Sequence, residues 1–153
     1  MSVDLIIRPI EASDRPEWTR LWTAYLTFYK TALPPEVYDS SFARLISDDP
    51  HEYCGLIAIL DGTPVGLAHY LFHRDMWSIE DTCYMMDLFV DPDIRGTGAG
   101  RALIEAVSDK ARAHGVSVLY WHTEDTNHTA QRLYDRLATK MPFLKYDKDL
   151  KKA

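Results

Sequence analysis

Sulfur chemistry, basic charge and long apolar runs are all scarce in this sequence, and each shortage closes off a class of function. Cys54 and Cys83 are its only cysteines, and neither belongs to a CxxC pair. A disulfide framework or a thiolate metal site is therefore not expected. The histidines His51, His69, His73, His114, His122 and His128 are scattered. His69 and His73 lie four apart, but in a segment that reads as strand, so they read as surface or hydrogen-bonded histidines rather than ligands. The net charge of −6 argues against nucleic acid as a partner, because phosphate binding needs a concentrated basic face. No apolar run approaches the ~20 residues that a membrane helix requires, so no membrane partner is expected. The first residues lack the basic start and apolar core of a secretory signal, which predicts a cytoplasmic protein.

What is present suits one domain over residues 1–153, with 46% hydrophobic and 26% charged residues, ordinary values for a globular chain. Residues 3–9 read as a first strand. Ser13 or Asp14 can cap a helix with Pro16 in its first turn. Trp18, Leu21, Trp22, Tyr25, Phe28 and Tyr29 then recur at helical spacing as a broad aromatic stripe. Pro34 and Pro35 stop that helix, and a second runs over residues 35–46. Residues 53–60 and 64–72 read as a hairpin around Asp61-Gly62. A third apolar run, 82–90, leads into a Gly-rich turn, then an amphipathic helix over 101–114 closed by Gly115. Residues 116–123 read as a strand, Asn127 caps a last helix bearing Ala130, Leu133, Tyr134 and Leu137, and 143–146 add a final strand. The order predicts an α+β fold, a mixed α/β sheet with about four flanking helices.

A strand that feeds a Gly-rich turn and then a helix makes an anion site, since first-turn N–H groups lack helical partners. The turn here is Arg95-Gly96-Thr97-Gly98-Ala99-Gly100. It is not a P-loop, because Arg101-Ala102 follows the last glycine where Lys-Ser/Thr is required. In dinucleotide register from Gly96, Arg101 occupies the position that must be small.

The segment from Val90 to Gly100 resembles motif A of the GNAT N-acetyltransferases, with Arg95, Gly98 and Gly100 in its Arg/Gln-x-x-Gly-x-Gly/Ala core. The later run Asn127-His128-Thr129-Ala130-Gln131-Arg132-Leu133-Tyr134 is similar to the family's Asn-x-x-Ala-x-x-x-Tyr helix. Asp87-Leu88-Phe89-Val90-Asp91 and Tyr120-Trp121 look most like the branch containing the yeast histone and polyamine acetyltransferases. The resemblance implies a mostly antiparallel GNAT sheet, acetyl-CoA as the donor co-substrate and an amine as the acceptor, a small molecule such as a polyamine or amino acid. Protein or histone lysine, or a non-catalytic acyl-CoA-binding regulatory role, are the alternatives.

Residue by residue, the resemblance implies that the backbone of Leu88, Phe89 and Val90 pairs with pantetheine. Arg95, Gly96, Thr97, Gly98, Ala99, Gly100 and Arg101 would hold the pyrophosphate, and Asn127, Ala130 and Tyr134 would complete the cofactor side. Tyr134 is implied as general acid. Polyamine-type relatives carry Glu where Met86 stands, which leaves Asp87, Glu80, Asp81 and Glu124 as candidate bases. Asp87 could act as base or hold the acceptor's charge, and Glu124 is a further acceptor-side candidate. Trp22, Tyr25 and Tyr29 read first as core and second as walls for a cationic acceptor. A homodimer is expected from the resemblance.

Overall fold

The computed structural model describes residues 2–94 and 96–152. Arg95, the first residue of the implied pyrophosphate turn, lies outside the described residues. The chain divides into a unit of residues 1–122 and one of residues 123–153.

The first unit is a sheet in the order β1-β2-β3-β4-β5. Its strands are β1 (Leu5–Pro9), β2 (Cys54–Leu60), β3 (Thr63–His73), β4 (Thr82–Val90) and β5 (Leu119–Tyr120). The first four pair antiparallel, and β5 joins β4 in parallel. This is the mixed, mostly antiparallel sheet expected. The turn between β2 and β3 holds Asp61 at φ +47° and Gly62 at φ +83°, the twist a two-residue hairpin needs. Asp61 also closes on the strand before it: its N–H donates to the Asp4 carbonyl at 2.8 Å, and its Oδ1 accepts from the Asp4 N–H at 3.0 Å.

The helices α1 (Arg15–Phe28) and α2 (Pro35–Leu45) cover one face, and α3 (Ala99–His114) packs across β1, β2, β3 and β4. On the first face Trp18, Leu21, Phe42 and Leu45 meet Ile57, Leu67 and Phe89. Alternation along the strands sends Leu56, Ala68 and Cys83 to the opposite face, where Leu103, Val107 and Ala111 are also buried. The aromatic stripe therefore splits: Trp18 and Leu21 are fully buried, while Trp22 and Tyr25 pack against the core from its margin.

A partly buried ion pair fixes the entry into α1. Arg8 donates from Nη1 and Nη2 to the two Asp14 oxygens at 2.7 and 2.8 Å, and the Glu11 N–H donates to Oδ2 at 2.7 Å. Asp14 thus serves the turn ahead of α1, whose first helical residue is Arg15.

The second unit contains α4 (His128–Leu137), capped by Asn127 Oδ1 accepting from the Ala130 N–H at 3.3 Å. The expected strand at 143–146 does not form: these residues join no ladder, and Phe143, Leu144 and Tyr146 are exposed by 81, 81 and 90%. Apolar residues there satisfy strand propensity, but a strand needs a paired backbone, which this unit does not provide. The expected strand at 116–123 is likewise cut to Leu119–Tyr120.

The Arg8 hydrogen bond, seconded by the Glu11 N–H, holds the Asp14 carboxyl below the usual carboxylate range against the opposing effect of burial. A depressed folded pKa contributes stability above the unfolded value of about 3.9, lost as pH falls through the folded value. Asp14→Asn is expected to destabilise by roughly 1–3 kcal/mol at pH 7, with the difference from the parent shrinking below pH ~4; urea melts at both pH values check this.

Candidate active site

Two features of β4 organise one face of the sheet. The first is a bulge. His69 pairs with Asp87 and Tyr70 with Met85, so Met86 is the extra residue on β4, and the strand bends there. The second is an edge. β5 pairs with β4 only through Cys83↔Leu119 and Tyr84↔Tyr120, so among the described residues no strand covers the outer edge of β4 from Met85 to Val90. Tyr84 and Tyr120 stack at 4.8 Å where the ladder stops, with His73 Nε2 2.8 Å from the Tyr120 hydroxyl.

The direction of the edge groups follows from alternation. The Asp91 N–H donates to the Val65 carbonyl at 2.8 Å, which sets Asp91, Phe89 and Asp87 facing β3 with their backbone groups. Leu88 and Val90 then turn their N–H and C=O outward. Phe89 places its ring in the core. From Asp87 to Val90 this edge offers about 10 Å of unpaired backbone.

Asp87 and Met86 border a cavity of about 190 Å³ with Trp18, Trp22, Ser41, Leu45, Tyr53 and His69. Asp87 is the one carboxylate in that lining. It accepts from His69 Nδ1 at 2.9 Å, and its charge acts on the nearby Tyr25 phenol. Burial first, and then the Asp87 charge, push the Tyr25 phenol far above its ordinary range. Trp22 and Tyr25 stack at 5.0 Å, and Tyr29 continues the row at 5.0 Å from Tyr25. Trp22 reaches the cavity wall; Tyr25 and Tyr29 stand behind it. The Trp22 indole nitrogen is buried with no hydrogen-bond partner among the described residues. A larger hollow of about 370 Å³ between Pro9, Tyr70, Phe72, Lys110 and His114 carries none of the expected site residues.

The other candidate carboxylates of the first unit are engaged elsewhere. Asp81 lies 3.2 Å from His114 Nε2 and 3.5 Å from Arg74 Nη1, and Glu80 accepts from the Ser117 hydroxyl at 2.9 Å. Asn127, Ala130, Tyr134 and Glu124 belong to the second unit. There the Asn127 oxygen is spent on the helix cap, and the Glu124 carbonyl accepts from the Gln131 side chain at 3.1 Å.

Beyond β4 the chain makes a short 3-10 turn (Pro92–Ile94) and enters the Gly-rich turn. Gly96 and Gly98 stand at φ +87° and +85°, and nothing lies within 4 Å of where a Cβ would sit on either. Their conformation, not crowding, calls for glycine. Thr97 ties the turn back through its hydroxyl to the Ile94 carbonyl at 2.9 Å. Gly98 caps α3, no side chain caps that end, and no acidic residue stands in the first turn. The N–H groups of Ala99, Gly100 and Arg101 therefore sit at the positive end of a helix dipole with the geometry of an anion cradle.

An open strand edge leading from an acid-floored cavity to a helix N-terminus with the geometry of an anion cradle suits a long, anionic thioester. The model of the Acetyltransferase (GNAT) family matches residues 16–138. The chain belongs to that family and is an acetyl-CoA-dependent N-acetyltransferase. It is 39% identical over 147 residues to a D-amino-acid N-acetyltransferase of Saccharomyces cerevisiae, covering 95% of this chain and 91% of that one. It is 31% identical over 81 residues to a thialysine N-epsilon-acetyltransferase of Caenorhabditis elegans, covering 53% of this chain and 50% of that one. Among solved structures, an aminoglycoside N-acetyltransferase in complex with CoA superposes with a TM-score of 0.84 at 17% identity, covering 98% and 97% of the two chains.

Sequence reasoning passed over His69, Ser41 and Tyr53. His69 was reachable, since it stands two residues beyond Leu67 on β3 and so shares the face of the aromatic stripe. Ser41 and Tyr53 carry no such signal.

Gly98→Ala is expected to cost about 1–2 kcal/mol through φ alone and to weaken CoA binding several-fold; thermal melts and calorimetric titration with CoA check both. Gly98→Asn, a residue that tolerates this conformation, should lose less.

Proposed function

We propose that the chain acetylates the primary amine of a small molecule by direct transfer, and that an amino acid or a compact polyamine-like amine is the acceptor. One observation carries this: a single buried-edge carboxylate, Asp87, among aromatic walls in a cavity beside the open edge of β4. A charge in such a cavity calls for an opposite charge, and the acceptor ammonium supplies it. The Trp22 indole, lacking a partner, supports an acceptor that also carries a hydrogen-bond acceptor, as an amino acid does. The cavity volume of about 190 Å³ favours a small molecule over a protein or histone lysine with its flanking chain. The names of the relatives, acting on a D-amino acid and on thialysine, support the same class.

Acetyl-CoA supplies the activated acyl group. Leu88 and Val90 offer their outward backbone groups to the pantetheine arm, and an N–H of this edge polarises the thioester carbonyl, a donor worth ~3 kcal/mol in such sites. Residues 96–101, with Arg95, hold the pyrophosphate. Asp87 anchors the ammonium and receives its proton, directly or through water, which frees the nitrogen lone pair. The C–N bond then forms as the C–S bond breaks. By its place in the family motif, Tyr134 gives its proton to the departing thiolate, since a phenol of pKa about 10 is still protonated at pH 7. The second proton lost by the nitrogen as the amide forms restores the phenol. Asn127, its oxygen committed to the cap, keeps its amide N–H groups for the cofactor side, next to Ala130. Glu124 stays a second acceptor-side carboxylate in this reading. The enzyme is taken as a cytoplasmic homodimer, for which the exposed Phe143, Leu144 and Tyr146 give an apolar surface to cover.

Free-thiol release from acetyl-CoA over a panel of amino acids, polyamines and lysine peptides tests the reading. Turnover of small amines supports it; CoA binding without turnover of any amine would establish a non-catalytic acyl-CoA module instead. Asp87→Asn should raise the amine KM roughly tenfold or more while leaving the acetyl-CoA KM in place. Tyr134→Phe should lower kcat by about 100-fold with saturating acetyl-CoA. Wild-type turnover in Tyr134→Phe would remove its role as acid.

A further inference from the structure

His69 is the least exposed polar group in the cavity lining, at 5%, and its two ring nitrogens have different partners. Trp18 Nε1 lies 3.0 Å from His69 Nε2, and Asp87 Oδ2 lies 2.9 Å from Nδ1. An indole nitrogen can only donate. Nε2 must then accept, which leaves the ring proton on Nδ1, where it donates to Asp87. Trp18 is itself fully buried. It packs on Phe42 at 5.0 Å and Trp22 at 6.2 Å, so the donor is fixed in place by the core. The ring of Trp22 lies 5.2 Å from the His69 ring and holds its second side.

We propose that His69 is a positioning residue, locked by the Trp18 indole as its Nδ1–H tautomer so that Asp87 is aimed at the acceptor ammonium. This deepens the acetyltransfer reading and rests on it for the word acceptor. A hydrogen bond from His69 occupies Oδ2 and sets the plane of the carboxylate. With Oδ2 held by His69, Oδ1 is left for the cavity that Asp87 lines. The neutral ring adds no cationic charge, so the carboxylate keeps its attraction for a cation. A histidine whose proton sat on Nε2 would instead set two donors against each other at Trp18 and two acceptors against each other at Asp87.

Two measurements decide it. In the ligand-free protein, long-range proton–nitrogen correlation at pH 7.5 is expected to show the His69 ring as the Nδ1–H tautomer, and Trp18→Phe is expected to convert it to a mixture. An Nε2–H ring in the parent protein overturns the proposal. In kinetics, His69→Asn, whose amide N–H can stand where Nδ1–H stood, is expected to keep the amine KM within about threefold, whereas His69→Leu raises it at least tenfold. The acetyl-CoA KM should be unchanged in both. Equal effects of the two variants, or effects on both substrates alike, would reduce His69 to a packing residue. The tautomer is read without turnover, so failure of this inference and failure of the acetyltransfer reading appear as different results.

Discussion

Among the described residues β4 has a partner along nearly the whole of one edge and for two residues of the other, and the function proposed for this chain depends on that inequality. Backbone groups need partners, and a strand inside a sheet ordinarily finds them on both sides. Here the β5 ladder ends at Tyr84↔Tyr120, just before the bulge at Met86 bends the strand. The exposed N–H and C=O groups of Leu88 and Val90 would elsewhere be an invitation to aggregation. In the acetyltransfer reading proposed above, they are what grips a linear, amide-bearing arm, by the same physics that adds a strand to a sheet.

The bulge has a second effect, because one extra residue brings both Met86 and Asp87 to the cavity. The carboxylate is then surrounded by rings that were expected to be core, and that expectation holds for part of the stripe only. Trp18 and Leu21 are core without remainder. Trp22 is both core and wall, and Tyr25 joins the stripe to Asp87. The hydrophobic cluster and the polar site are therefore one packed object. Moving α1 to relieve the core would also move the Trp18 indole that holds His69 against the carboxylate.

Much of the sheet was legible because its signals are local. The hairpin at Asp61-Gly62, the Gly115 stop of α3 and the 3.6-residue recurrence of α1 depend on residues within a few positions of one another. The elements that were misread depend on distant partners. Residues 143–146 have strand-like composition but no ladder, and 116–123 shrink to two residues because the rest of β4 is left free. Asp87 was found as a residue without a settled role. Its surroundings are set by His69 and Tyr25, which lie 18 and 62 positions away in the chain and which only the fold brings near it. The absence of Glu at position 86 was visible, but the bulge there, which gives Asp87 its place, was not.

The turn ahead of α3 illustrates a constraint of handedness. At Gly96 and Gly98 there is room for a side chain but a penalty for an L configuration, since the backbone sits in the mirror image of the common helical region. A D-alanine introduced by chemical ligation would occupy that region as its own preferred one and meet no neighbour. What twenty residues can supply cheaply at these two positions is thus narrower than what the space around the turn allows: the backbone asks for a stereochemistry, and glycine is the genetically encoded residue without one.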